Sequence, residues 1–202
     1  MSDQVNPFAQ NDTYVKSISF SLGSILHKLD LSPEYSKRDK PYQLDGIDVG
    51  ECNFNPFVFI NGVKQYYQRP LVWSLTDKQN LIESIYHGIG CGSIIIKVND
   101  WNHLEKLAKS GETELFFNDV VDGKQRLNAI KEFVKNEFPD KNGNYYKDFS
   151  RNAQNLFLDH QLFSYGEITN IKDEDVLKQF LKVNFAGVPQ STEHLDYVKS
   201  LL

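Results

Sequence analysis

Leu115-Phe116-Phe117-Asn118-Asp119-Val120-Val121-Asp122-Gly123-Lys124-Gln125-Arg126-Leu127-Asn128-Ala129-Ile130 changes character at its centre. Leu115 to Val121 is an apolar run of strand length. Beyond Arg126 the apolar residues Leu127, Ile130, Phe133, Val134 and Phe138 recur at helical spacing. The pattern predicts a strand, a tight loop and a helix, with Asp122-Gly123-Lys124-Gln125-Arg126 at the joint. Glycine there lets the backbone bend sharply and come close to a ligand, and the first amides of the helix have no partner within it. Those amides, the helix dipole and the planar fork of Arg126 favour an anion, phosphate above all. Gln125 adds a donor and an acceptor. Asp122 is the odd member, since a carboxylate beside phosphate needs an offset: a magnesium ion, an attacking water or a substrate hydroxyl. Asp-Gly is also a common turn dipeptide, and an aspartate before a helix is often only a cap, so the pentapeptide alone leaves a plain turn open.

The chain as a whole favours one globular domain over residues 1–202. It has 202 residues, of which 40% are hydrophobic and 13% aromatic, enough for a sizeable core. A net charge of -5 argues against holding nucleic acid by bulk electrostatics. Cys52 and Cys91 stand far apart and imply neither a disulfide framework nor a zinc site, so reduced, cytoplasmic thiols are expected. No basic segment followed by an apolar core opens the chain, and no apolar run is long enough to span a bilayer, so neither a signal peptide nor a membrane partner is expected.

Residues 1–13 are polar and read as loose. Tyr14 to Leu31 reads as a short strand and then a helix. Residues 33–48, with Pro33, Pro41 and Gly46, read as a surface loop. Asn61-Gly62 between Phe57-Val58-Phe59-Ile60 and Val63-Lys64-Gln65-Tyr66 is a strong hairpin signal. Thr76 with Gln79 reads as a capping box for a helix that buries Leu81, Ile82 and Ile85 and stops at Gly88 and Gly90. Ser93 to Val98 is β-branched and reads as a central strand. Asp100 to Ser110 reads as a short helix, and Pro139 to Tyr146 contains an exposed Asn-Gly turn. Ser150 to Leu158 reads as a helix, Gln161 to Ile168 as a strand, and Asp173 to Val183 as a helix. Gly187 and Pro189 punctuate the tail before a helix from Thr192 to Leu202. Helices and strands alternate irregularly, which favours α+β, a small mixed sheet flanked by helices, over a doubly wound sheet.

Three pieces stand in order: Tyr67-Gln68-Arg69-Pro70 with Trp73, then Asp122-Gly123-Lys124-Gln125-Arg126, then Phe180-Leu181-Lys182-Val183-Asn184. Together they resemble the DGQQR-motif family of ParB/sulfiredoxin-like domains. That family includes the N-terminal, nucleotide-hydrolysing part of the GmrSD modified-DNA restriction enzymes and of phosphorothioate-sensing restriction proteins. The resemblance runs from about the Phe57 hairpin to the C-terminus. It implies a nucleoside triphosphate pocket lined by Asp122, Gly123, Gln125 and Arg126, with Gln68 and Arg69 near the nucleotide and Asn184 at the rim. Lys124 departs from the family, which usually carries glutamine there, and adds a phosphate-binding cation or a solvent-facing one.

The expected function is therefore a nucleotide-binding domain that hydrolyses a nucleoside triphosphate with magnesium, in a phage or bacterial DNA restriction or counter-restriction system. In this reading Asp122, Gln125 and Arg126 carry catalysis and Asp122 is the candidate magnesium ligand. Gln68, Arg69, Gly123, Lys124 and Asn184 bind phosphate or nucleotide, and any cutting of modified DNA falls to a partner nuclease. Arg126→Ala is expected to abolish nucleotide binding with the fold intact. Two alternatives stand beside it: a binding module that regulates or inhibits a partner nuclease, and a ParB-like DNA nuclease, which no second acidic cluster or histidine pair supports. The five histidines, His27, His87, His103, His160 and His194, show no ligand spacing and read as ordinary. Trp73 reads as a core residue and Phe180 as buried.

Overall fold

A computed structural model of the chain describes residues 16–31, 42–169, 171–185 and 191–202. Its centre is a six-stranded mixed sheet in the order β1 (Lys16–Ser21), β8 (Leu162–Thr169), β6 (Ser93–Val98), β7 (Leu115–Asp122), β3 (Ile47–Asn53), β2 (Tyr42–Leu44). β6 lies in its middle, parallel to β8 and antiparallel to β7, and β7 runs parallel to β3. The hairpin β4 (Phe57–Ile60) and β5 (Val63–Tyr66) forms a second, two-stranded sheet. Its turn places Asn61 at φ 51° and Gly62 at φ 77°, both in the left-handed region that the Asn-Gly pair tolerates.

Both faces of the large sheet are covered, so β6 and β7 bury apolar runs, broken by the buried Lys97 in β6 and Asn118 and Asp119 in β7. Ile94, Ile96 and Val120 join one core with Leu22, Ile25 and Leu26 of α1 (Leu22–Lys28), Leu81, Ile82 and Ile85 of α2 (Leu75–Tyr86), and Phe157 of α5 (Arg151–Asp159). Leu127, Ile130 and Phe133 add the buried side of α4 (Lys124–Val134) to the same core. Ile95 and Val121 point the other way. They meet Val58, Tyr67, and Val176, Leu177 and Phe180 of α6 (Asp173–Phe185), with Leu195 and Val198 of α7 (Thr192–Ser200). Between β6 and β7 lies α3 (Trp101–Lys109), which buries Leu104 against Val49 and Leu115. This is an α+β domain with a mixed sheet flanked by helices, as the irregular order of elements predicts.

Two local expectations are corrected. The loop expected over residues 33–48 falls partly outside the described residues, and from Tyr42 onward it is β-structure: β2 and the start of β3, joined at Asp45 (φ 50°) and Gly46 (φ 80°). Gly46 therefore closes a two-residue hairpin and does not mark an open loop. The capping box of α2 is not Thr76 with Gln79. Ser74 is the N-cap: its Oγ accepts from the Asp77 amide at 3.2 Å, and the Asp77 carboxylate accepts from the Ser74 amide at 2.9 Å. Gln79 instead donates to the carbonyls of Pro139 (3.0 Å) and Asp140 (3.2 Å). Residues 1–13, Gly187 and Pro189 lie outside the described residues.

Candidate functional site

β7 ends at Asp122 and α4 begins at Lys124, with Gly123 between them at φ 92°. A Cβ there would come within 3.1 Å of Ile94 Cγ1 and 3.4 Å of its Cα, so both the backbone angle and the space call for glycine. Gly123 is the N-cap of α4 and offers no side chain to the first amides of the helix. That turn borders a cavity of about 560 Å³. All eight residues singled out in the sequence line it: Gln68, Arg69, Asp122, Gly123, Lys124, Gln125, Arg126 and Asn184. Trp73, Ile95 and Val183 give it an apolar side.

The first turn of α4 uses its polar side chains as clasps, one on each flanking segment. Residues 67–73 run as a strap from the hairpin to α2. Lys124 Nζ donates to the Arg69 carbonyl at 2.7 Å. Gln125 Nε2 donates to the Pro70 carbonyl at 2.8 Å, while its Oε1 accepts from the amides of Val72 (3.1 Å) and Trp73 (3.3 Å). Gln68 pins the strap from its own side, its Nε2 donating to the carbonyls of Val120 (2.9 Å) and Val121 (2.8 Å). On the opposite flank Arg126 holds the segment that leads into β6: Nη1 donates to the Cys91 carbonyl at 2.7 Å and Nη2 to the Ser93 carbonyl at 2.6 Å. Nη2 also meets Asp122 Oδ2 at 2.9 Å. Gly92, at φ 80°, leaves room for that guanidinium, because a Cβ there would lie 1.9 Å from Nη1.

These bonds revise the roles expected of three residues. The partner that offsets the charge of Asp122 is Arg126, within the protein itself. Arg126 and Gln125 border the cavity, and the bonds above engage three N–H groups of Arg126 and the carbonyl and one N–H of Gln125. Arg126→Ala would thus leave a largely buried carboxylate and two carbonyls without their donor, at a cost of about 1–3 kcal/mol, so that variant does not leave the fold untouched. Asn184 is buried, and its Nδ2 donates to the Phe180 carbonyl at 2.7 Å. Trp73 is partly buried against the larger core, and Phe180 is fully buried.

The remaining charge on the wall is positive. Among the described residues the Arg69 guanidinium makes no hydrogen bond or ion pair, and Lys124 has no carboxylate partner. Burial, and then the charge of Arg69, push the Lys124 ammonium below its usual range. His194 of α7 reaches the strap as well: its Nε2 lies 2.9 Å from the Tyr67 carbonyl. Burial holds its ring below the ordinary value of 6.5, and Arg69 and Lys124 push the same way against the opposing effect of the Tyr67 bond. Its place could not be read from the sequence, because its neighbours come from the strap and from α4. Among the described residues no group of three or more histidine, cysteine, aspartate or glutamate side chains is placed to hold a metal ion. Nor is any helix among them long and apolar enough to cross a membrane.

Fold and site together define a mixed-sheet α+β domain with a cationic cavity at a helix N-terminus. The family model described as the N-terminal domain of the GmrSD restriction endonuclease matches residues 59–201, most of the chain, and the chain belongs to that family. Among curated proteins and among solved structures, nothing matches.

Proposed function

We propose that this domain binds a nucleoside triphosphate in the 560 Å³ cavity and hydrolyses it, as the nucleotide-dependent part of a DNA restriction system whose cutting activity lies in a nuclease partner. The observation that carries this reading is the pair of cations, Arg69 and Lys124, which among the described residues have no carboxylate partner, beside the uncapped N-terminus of α4. The charge of Arg69 disfavours the buried Lys124 ammonium in the empty site, and a polyphosphate bound to both relieves that repulsion. The amides of the first turn of α4 add fixed positive dipoles at no cost of reorganisation. Trp73, Ile95 and Val183 supply the apolar side that a base and ribose need.

Within this reading Arg69 and Lys124 hold phosphate oxygens and offset the charge that grows on the transferred group. Asp122 keeps one oxygen on Arg126, and its other oxygen orients a water or a magnesium ion. Among the described residues Asp122 is the single carboxylate lining the cavity, so a magnesium ion would be carried largely by the phosphates, whose charge it would neutralise. Gln125 and Arg126 act at one remove, by holding the strap and the β6 entry in place.

A binding-only role draws on the same geometry, because Gln125 and Arg126 spend most of their hydrogen bonds on the strap, the β6 entry and Asp122. Magnesium-dependent phosphate release separates the two. Release by the wild type that falls at least tenfold in Arg69→Gln supports hydrolysis. Tight nucleotide binding without release supports a sensor, and absence of binding removes the proposal.

A further inference from the structure

The strap that carries Arg69 is gripped from a third side. α4 holds the carbonyl of Arg69 through Lys124, and α7 holds the carbonyl of Tyr67 through His194, two residues earlier. A carbonyl only accepts, so the bond at 2.9 Å places a proton on His194 Nε2 and leaves Nδ1 with its lone pair in the neutral ring. Tyr197, one turn along α7, donates its hydroxyl to the Tyr66 carbonyl at 3.1 Å. Leu195 and Val198 bury the other side of the helix beside Phe180, whose ring also meets His194. α7 is thus fastened to the strap by His194, to the end of β5 by Tyr197, and to α6, the helix of Asn184, by packing.

We propose that His194 is a positioning residue of the anion site, holding the Arg69 strap through the Tyr67 carbonyl and linking occupancy of the cavity to the docking of α7. The inference rests on the reading of the cavity as a polyphosphate site. The charged groups that act on the ring are Arg69 on the strap and Lys124 on α4. The buried Tyr67, Phe180 of α6, and Tyr197 on α7 itself complete its surroundings. In the free protein burial, with the charges of Arg69 and Lys124 behind it, holds the ring below its ordinary value and favours the neutral form. An anion seated between Arg69 and Lys124 cancels their repulsion, so His194 gains a proton as the anion binds. The imidazolium still donates to Tyr67 and adds a third positive charge near the site.

The test uses inorganic pyrophosphate as the probe on the full chain, with calorimetry for binding and NMR for titration of the His194 ring. Saturating pyrophosphate is expected to raise the midpoint of that titration by about one pH unit, since removing a like-charge neighbour moves a pKa on that scale. Calorimetry in buffers of different ionisation heat should register proton uptake near pH 6. His194→Ala is expected to weaken pyrophosphate roughly tenfold, the equivalent of ~1.4 kcal/mol. His194→Gln, which keeps a donor for Tyr67, should recover the affinity at pH 8 but not the proton uptake. A ring titration unmoved by saturating pyrophosphate, or wild-type affinity in His194→Ala, would overturn the proposal while leaving the anion site standing. No pyrophosphate binding in the wild type would remove the anion site, and this inference with it.

Discussion

Lys124 stands where a glutamine is usual in the family it resembles, and the structure gives the substitution a physical meaning. Its Nζ donates to the Arg69 carbonyl, and Lys124→Gln removes the charge while keeping an amide donor, one bond shorter, on the same side chain. Because burial and Arg69 depress the folded pKa below the usual 10.5, this lysine adds to stability above that value and the contribution is lost as pH falls through the folded pKa. At neutral pH the charged side chain is a net cost to the empty protein. Lys124→Gln should therefore melt no lower than wild type at pH 7, yet bind pyrophosphate about tenfold more weakly. Wild-type affinity should decline with rising pH earlier than an ordinary lysine would dictate, and titration calorimetry from pH 7 to 10 checks both. At Gly92 a methyl group would collide with Arg126 Nη1 at 1.9 Å in a backbone conformation at φ 80°. Gly92→Ala is expected to lower the melting temperature by several degrees, equivalent to about 1–3 kcal/mol. A melting curve superimposable on wild type would contradict the fit of Arg126 against this segment.

At the scale of elements, the first turn of α4 is a two-sided clamp, with Lys124 and Gln125 on the strap and Arg126 on the entry to β6. The bonds span 33 to 55 residues of sequence, which is why their existence was not legible there. What could be read was the strand, glycine and helix themselves, since an apolar run covered on both faces and a helical stripe leave a periodic record. Residue types also pointed to one cavity, but donors and acceptors do not announce their partners, so the bonds that Gln125 and Arg126 make to backbone and to Asp122 were not legible. The Asp45-Gly46 hairpin was hidden for a related reason, because nearby Pro41 and the charged run before it gave the whole segment the composition of a loop. The capping box expected at Thr76 and Gln79 lies at Ser74 and Asp77, two residues earlier, because the helix starts at Leu75. Gln125→Ala removes three bonds to the strap, and the exposure of Val72 lets water replace part of them, so a loss of about 1–2 kcal/mol is expected. Amide hydrogen exchange should speed up at Val72 and Trp73 while the β6 amides stay protected; uniform acceleration would argue against a local clasp.

Across the whole molecule, the cavity lies where three layers meet, and its far support is a buried charge cluster. Asp119 on β7 accepts from Asn99 Nδ2 at 2.8 Å and Asn53 Nδ2 at 3.0 Å, with Lys97 Nζ at 3.9 Å. Lys97 lies equally far from Asp173, which caps the hairpin by accepting from the Phe59 amide at 2.7 Å. The cluster thus ties the sheet, the hairpin and the start of α6, which delivers Val183 and Asn184 to the cavity. Burial raises the Asp119 carboxyl above 3.8, while Lys97 and the two amides pull it back. A raised carboxyl adds to stability below its unfolded value, and that contribution is lost as pH rises through the folded one. Lys97→Met should cost about 3–5 kcal/mol at pH 7, because it leaves Asp119 buried without its cation, and the loss should already have shrunk at about pH 4, as Asp119, raised further without Lys97, takes up a proton on the way down. Denaturant titrations at the two pH values measure the difference.

Arg69 is the residue on which the central claim turns, since among the described residues it braces nothing and its guanidinium is available to a ligand. Calorimetry of a nucleoside triphosphate against wild type and Arg69→Gln, with melting curves for both, is the direct measurement. The cavity reading requires binding by the wild type, at least a tenfold loss in the variant, and a melting temperature no lower in the variant. Equal affinity in the two proteins, or no binding to the wild type, would contradict it.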